Sequence, residues 1–193
     1  MKRLILATLI VMGAFMTTVT AQTWNDSIRD RDMNRDRDRD RDTVQTSDHK
    51  EFMRKAAESG LAEVQMGKLA QSKGYSQSVK NYGSMMERDH SKANQTLQTL
   101  AGKKSYTLPK RTSDSMQQTY DRLSKKTGED FDKAFIDQMV KDHRDVIDLF
   151  EKEIKNGNDP EIKTWATQIL PTLKQHLQHA LDIQQELNRA KKK

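Results

Sequence analysis

The sequence predicts an all-α fold, a four-helix bundle with one long crossover that carries a short extra helix. Three observations predict it. From Ser47 onward, apolar residues recur at steps of three, four and seven, the period of an amphipathic helix. Capping and breaking residues cut that stretch into four long segments and one short one. No run alternates apolar and polar residues as a half-buried strand would.

Each element has its own start and stop. Ser47 caps a first helix over 48–73, which Gly74 ends, and a second covers 77–101 and ends at Gly102. The connection that follows holds Leu108-Pro109 and a short helix over 113–126, with Ser113 as its cap. Gly128 precedes a helix over 129–155, stopped by Asn156-Gly157. Asp159-Pro160 places a cap and then a proline at the first helical position of a last helix over 160–190. The result is two tight hairpins joined by a crossover of roughly 25 residues, enough to return the chain along the bundle. The second and third long helices then run parallel, which is ferritin-like connectivity.

The region before the bundle is of another kind. Residues 1–21 read as a secretory signal peptide: Lys2 and Arg3, an apolar run from Leu4 to Phe15, then Val19-Thr20-Ala21 before a cut at Gln22. That run is shorter than the ~20 residues a membrane span needs, and no later segment is longer. The expectation is an exported protein, periplasmic or extracellular, with no transmembrane segment after cleavage. Residues 22–46 hold six Arg and seven Asp, mostly in strict alternation from Arg35 to Asp42. Such a run repeats like charges at i,i+4 and has nothing apolar to bury, which predicts a disordered spacer. The folded domain is then 47–193.

Composition excludes several functions. The sequence has no cysteine, so disulfides and a cysteine-linked lipid anchor are ruled out. The net charge of +6 is interspersed, and basic and aromatic residues do not interleave, which argues against nucleic acid as a partner. There is no Gly-x-Ser-x-Gly turn and no Gly-rich phosphate loop, so hydrolytic and nucleotide chemistry has no support.

One phrase occurs twice. Met86-Glu87-Arg88-Asp89-His90 is echoed 53 residues later by Met139-Val140-Lys141-Asp142-His143. His90 falls on the apolar stripe Val79, Tyr82, Met86, Ala93, Leu97, and His143 on Ile136, Met139, Ile147, Phe150. Glu63 shares a stripe with Phe52, Ala56, Met66 and Ala70, and His176 with Ile162, Trp165, Ile169, Leu173 and Ala180. All four polar residues sit near the middle of their helices, so they can meet in one layer. Glu63, His90, His143 and His176 are therefore the candidate metal ligands, with Glu87, Asp89 and Asp142 as further candidates at the edge. Asp89 cannot face its neighbour His90 on one helix, but it can reach a histidine on another helix, as can Asp142. Pro171 introduces a kink that would aim His176 inward. His49 reads as a surface residue and His179 as peripheral. Met53, Met66, Met85, Met86 and Met139 read as adaptable core filler.

These motifs, with Phe52-Met53-Arg54-Lys55-Ala56-Ala57, Gly60-Leu61-Ala62-Glu63-Val64 and Leu170-Pro171-Thr172-Leu173-x-x-His176-Leu177, resemble the family called domain of unknown function 4142. The resemblance covers about 48–187 and implies a ferritin-like fold, with no activity assigned. Against the di-iron pattern of a Glu on two helices and Glu-x-x-His on two others, Glu63 and Glu87-Arg88-Asp89-His90 match. Asp142-His143 and Leu173 do not. The missing carboxylate argues against a di-iron centre and for a single histidine-rich ion or none.

Two functions fit the sequence. One is an exported bundle of unassigned activity that holds a divalent transition metal (Zn, Cu, Fe or Ni) for stress protection or metal handling. The alternative is a non-catalytic structural or interaction module that engages an envelope protein without metal. Neither requires an enzyme.

Overall fold

The computed structural model describes residues 48–190. The signal-like segment, the Arg-Asp run, Ser47 and the terminal Lys191-Lys192-Lys193 lie outside the described residues. Five helices carry the fold: α1 (48–73), α2 (Gln77–Lys103), α3 (Asp114–Ser124), α4 (Gly128–Asn156) and α5 (Pro160–Ala190). No strand occurs among the described residues. The caps follow the local chemistry: Ser76 Oγ accepts the Val79 N–H, and Ser113 Oγ accepts the Met116 N–H. Asp159 Oδ1 takes the N–H groups of Glu161 and Ile162 at 3.0 and 3.1 Å.

The end of α2 differs from expectation. Gly102 does not stop the helix, which continues through Lys103. Ser105 takes the left-handed conformation instead, at φ 53°. Tyr106 N–H bonds Ala101 C=O and Ser105 N–H bonds Gly102 C=O, the paired bonds of a Schellman stop with serine in the usual glycine position. α5 is continuous through Pro171, so the chain absorbs the proline without ending the helix.

Contacts at the two ends fix the helix directions. At one end Asp132, near the start of α4, accepts the N–H groups of Tyr75 and Ser76 at 2.8 and 2.7 Å. Lys73 caps the carbonyl of Ser124 beside it. At the other end Lys104 pairs with Asp159 and Glu161 at 2.7 and 2.9 Å. α2 therefore starts beside the start of α4 and ends beside its end, so the two run parallel, with α1 and α5 antiparallel to them. The crossover through α3 performs the return. This is the connectivity of a ferritin-like bundle.

His49 corrects a sequence expectation. It is not a surface residue: its side chain is 14% exposed and lies 2.9 Å from Glu153 at the end of α4. Its Nε2 accepts the N–H groups of Asn158 and Asp159 at 3.4 and 3.2 Å. Nδ1 must then carry the proton and donate to Glu153 Oε1. The start of α1 is thereby latched to the α4–α5 turn.

The core is divided. One apolar cluster gathers Phe52, Leu97, Ile147, Phe150, Ile162, Trp165 and Leu173. The other gathers Met66, Val79, Tyr82, Met86, Phe135, Met139 and Ala180. Between them, on every long helix, stands one of Glu63, His90, His143 and His176, each buried.

α1 and α2 meet backbone to backbone. A Cβ on Gly67 would stand 2.6 Å from Gly83 O, and one on Gly83 would stand 2.6 Å from Gly67 O. Neither oxygen can yield unless a helix moves. Gly67→Ala should therefore destabilise by ~1–3 kcal/mol, because overpacking outweighs the ~1 kcal/mol gain in helix propensity. Gly102→Ala meets nothing within 4 Å and should stabilise by up to ~1 kcal/mol. Urea denaturation of the two variants should show opposite signs.

Candidate metal centre

The glycine seam sets up the site. One helical turn from Gly67 and two from Gly83, Glu63 on α1 and His90 on α2 come together, with Oε2 2.6 Å from Nε2. Oε1 of the same carboxylate is 3.8 Å from His143 Nδ1 on α4. His176 enters from α5 and completes a triangle of imidazoles. Ring centroids are 5.2 Å apart for His90 and His176, 5.6 Å for His143 and His176, and 5.9 Å for His90 and His143. One nitrogen from each ring lies within 4.8 Å of the other two.

The outer contacts fix two tautomers. His143 Nδ1 lies 2.9 Å from Met139 O, one turn back on its own helix, and a carbonyl there requires an N–H donor. Its Nε2 is left with a bare lone pair. His176 Nε2 lies 3.1 Å from Asp89 Oδ2 and donates to it, so Nδ1 is bare. Asp89 thus reaches a histidine on another helix, as its position beside His90 requires. Tyr82 adds a hydrogen bond from its hydroxyl to the His176 carbonyl at 3.3 Å. For His90 the approach to Glu63 is close but off the line of the ring N–H, a charge contact without an aligned hydrogen bond. His90 Nε2, His143 Nε2 and His176 Nδ1 are all buried without a hydrogen-bond partner.

Electrostatics keep the donors ready. Burial alone would push the Glu63 carboxyl up, but the charges of His90 and His143 outweigh it and hold it at about 2. Burial, followed by repulsion from His90, lowers His176 to about 4. Burial likewise lowers His143. Both rings are therefore neutral at pH 7, the form in which imidazole binds a metal. An ion held at ~2.0–2.1 Å needs nitrogens roughly 3.4 Å apart, so no pair would have to close by more than about 1.4 Å on binding.

The remaining candidates separate. Glu87 does not join the histidines; it accepts from Gln71 at 2.6 Å and faces Lys68 at 3.7 Å, on the α1–α2 seam. The helical step explains this, since Glu87 precedes His90 by a turn that faces α1 at Gly67. Asp142 reaches no histidine either: Gln138 of its own helix donates to it at 2.8 Å. Burial and the nearby Glu63 raise its carboxyl to about 6. His179 is peripheral, its Nδ1 3.3 Å from Met85 Sδ. No sequence pattern points to the His49 latch or to the Tyr82 hydroxyl bond. Both join residues about a hundred positions apart, and no local pattern encodes such a pairing.

The family described as "Domain of unknown function (DUF4142)" matches residues 36–183. The chain belongs to this family. No curated protein matches it. Among solved structures it is similar to the crystal structure of a DUF305 fragment from Deinococcus radiodurans. The TM-score is 0.64 at 12% identity, over 74% of this chain and 96% of that one. At that identity the likeness concerns the fold alone: an all-α bundle.

Asp142 gives a stability test. Its carboxyl is raised above its ordinary value of 3.8, so its contribution is present below about 3.8 and lost as pH rises through about 6. Glu63 and His176 act in the opposite sense. The His176 contribution is present above its ordinary 6.5 and lost as pH falls through about 4; that of Glu63 is present above 4.5 and lost toward 2. Asp142→Asn should therefore stabilise the metal-free protein above pH 6 by ~1–3 kcal/mol, and the gain should vanish below pH 4. Denaturation midpoints across pH 3–8 would show it.

Proposed function

We propose that the protein holds a single divalent transition-metal ion through His90 Nε2, His143 Nε2 and His176 Nδ1, with Glu63 as the adjoining carboxylate. The observation that carries this reading is the set of three buried ring nitrogens without a hydrogen-bond partner, one on each of three rings that face one another. A buried polar atom without a partner costs on the order of 1–3 kcal/mol, and one ion would satisfy all three. The two outer bonds, to Met139 O and Asp89, are of the kind that orient metal-bound histidines. Imidazoles with a carboxylate suit Zn, Cu, Fe or Ni. The ligands are buried, which fits holding an ion better than turning over a substrate. Metal handling or stress protection is the matching role, and the parallel course of α2 and α4 supports a ferritin-like reading of the bundle.

A second reading is a metal-free polar layer within an interaction module that meets an envelope partner. It is favoured by the fact that each imidazole already touches one anchor: Glu63, Met139 O or Asp89. The two readings differ in response to ions. With metal, Zn(II), Cu(II), Fe(II) or Ni(II) should raise the melting temperature of tag-free protein, by ~2.7 kcal/mol of stability at a hundredfold excess over Kd. His143→Ala should abolish that increment. Binding should weaken only as pH falls from the usual histidine range toward 4, because His143 and His176 resist protonation. A metal-free layer predicts destabilised histidine variants and no response of the wild type to any ion.

We also propose export to the periplasm or beyond, on the strength of Lys2, Arg3, the apolar run and Val19-Thr20-Ala21. Intact mass of the protein recovered outside the cytoplasm should correspond to a chain beginning at Gln22. Retention of residues 1–21 would refute it.

A further inference from the structure

A groove of about 810 Å³ runs between α1 and α4, with the start of α3 along its edge. It differs from the groove between α2 and α5 in what it reaches. Glu63, a member of the buried layer, lines it, and so do Ala62, Asp142 and Ser59. The groove between α2 and α5 is lined by Tyr82, Met85 and His179 and includes none of the four layer residues. Tyr82, only 3% exposed, stands between that groove and His176, whose carbonyl it binds.

The charges along the α1–α4 groove are unequally neutralised. Arg54 is held by Glu51 and Glu58, and Lys141 by Asp145. Asp142 receives only the neutral amide of Gln138, and among the described residues no cation lies within ion-pair distance of it. Asp148 also lines the groove without an ion pair among the described residues, but Asp142 is the one of the two whose carboxylate feels the Glu63 carboxylate that touches His90. A cation moving inward would pass from Asp142 to Glu63, whose two oxygens face His90 and His143. An ion with no anion along its path would lose its hydration without compensation. Two carboxylates in succession supply that compensation.

We propose that the α1–α4 groove is the route by which a divalent cation enters and leaves the histidine layer, with Asp142 as the outer carboxylate and Glu63 as the inner one. This rests on the metal-binding reading above and adds a direction of access to it. The route is closed by filling the groove one turn from Glu63, at Ser59, without touching any ligand.

The test is stopped-flow loading of the full metal-free chain with Co(II), read from the visible absorption of the bound ion. Ser59→Trp should slow loading at least tenfold and reach the same final absorbance as wild type. Asn81→Trp, which fills the α2–α5 groove, should load at the wild-type rate. Asp142→Asn should load severalfold more slowly, and it decides the matter if Ser59→Trp does not fold. Wild-type rates in a folded Ser59→Trp, or in Asp142→Asn where Ser59→Trp does not fold, overturn the route while leaving the site intact. So does slowing by Asn81→Trp alone. If wild type itself shows no Co(II) absorption, the site falls and the route with it.

Discussion

The bundle is organised around the need to bury one carboxylate and three imidazoles between two apolar clusters. Such a layer is stable only if its members find each other, since a lone buried charge costs several kcal/mol and even a neutral polar atom costs on the order of 1–3. Glu63 is the centre of that arrangement: one carboxylate faces His90 and His143, and the positive charge these rings take up at low pH holds its pKa down despite its burial. Any slip of one helix by a turn would trade a polar residue for an apolar one at this height. The layer therefore selects a register that Leu, Ile and Phe packing alone would not distinguish sharply.

The rest of the structure enforces that register from outside the layer. Gly67 and Gly83 let α1 and α2 approach until their backbones touch, which brings Glu63 within 2.6 Å of His90. Asp132 fixes the α1–α2 turn to the start of α4, and His49 fixes the start of α1 to the α4–α5 turn. The two ends of the bundle are thus pinned by hydrogen bonds of different chemistry. The middle is held by charge. Because the pins are polar and specific, they restrict sliding in a way that the adaptable methionines Met66, Met86 and Met139 cannot.

Legibility in the sequence follows the range of the physics. Helix existence and most ends were readable, because period, caps and Asp159-Pro160 are local. The inward direction of His90, His143 and His176 was readable for the same reason: each lies on an apolar stripe. Asp89 as a partner for another helix followed from helical geometry. What failed depended on distant backbone. Gly102 looked like a stop, yet the reversal fell at Ser105, where Tyr106 could join Ala101 against the apolar cluster. His49 looked like surface because its partners, Glu153 and the 158–159 amides, lie more than a hundred residues away. Glu87 looked like part of a Glu-x-x-His pair, but it turns to Gln71 on the helix that the glycine seam brings close.

That departure of Glu87 bears on what the layer could hold. A di-iron site needs carboxylates on all four helices to balance two cations. Here α5 offers Leu173 at the matching position, Glu87 faces away, and Asp142 is drawn toward its neutral form by burial and by Glu63. The carboxylates held ionised beside the imidazoles are Glu63, in contact with two of them, and Asp89, bonded to the third. Asp89 is also paired with Arg88 at 2.7 Å, so Glu63 is the carboxylate whose charge is directed at the imidazoles. A second ion would bring two further positive charges to a buried layer with no second carboxylate in contact with its imidazoles other than the Arg88-paired Asp89, and burial makes such charge costly. The carboxylates of this layer thus fall short of the set that the four-helix di-iron pattern requires.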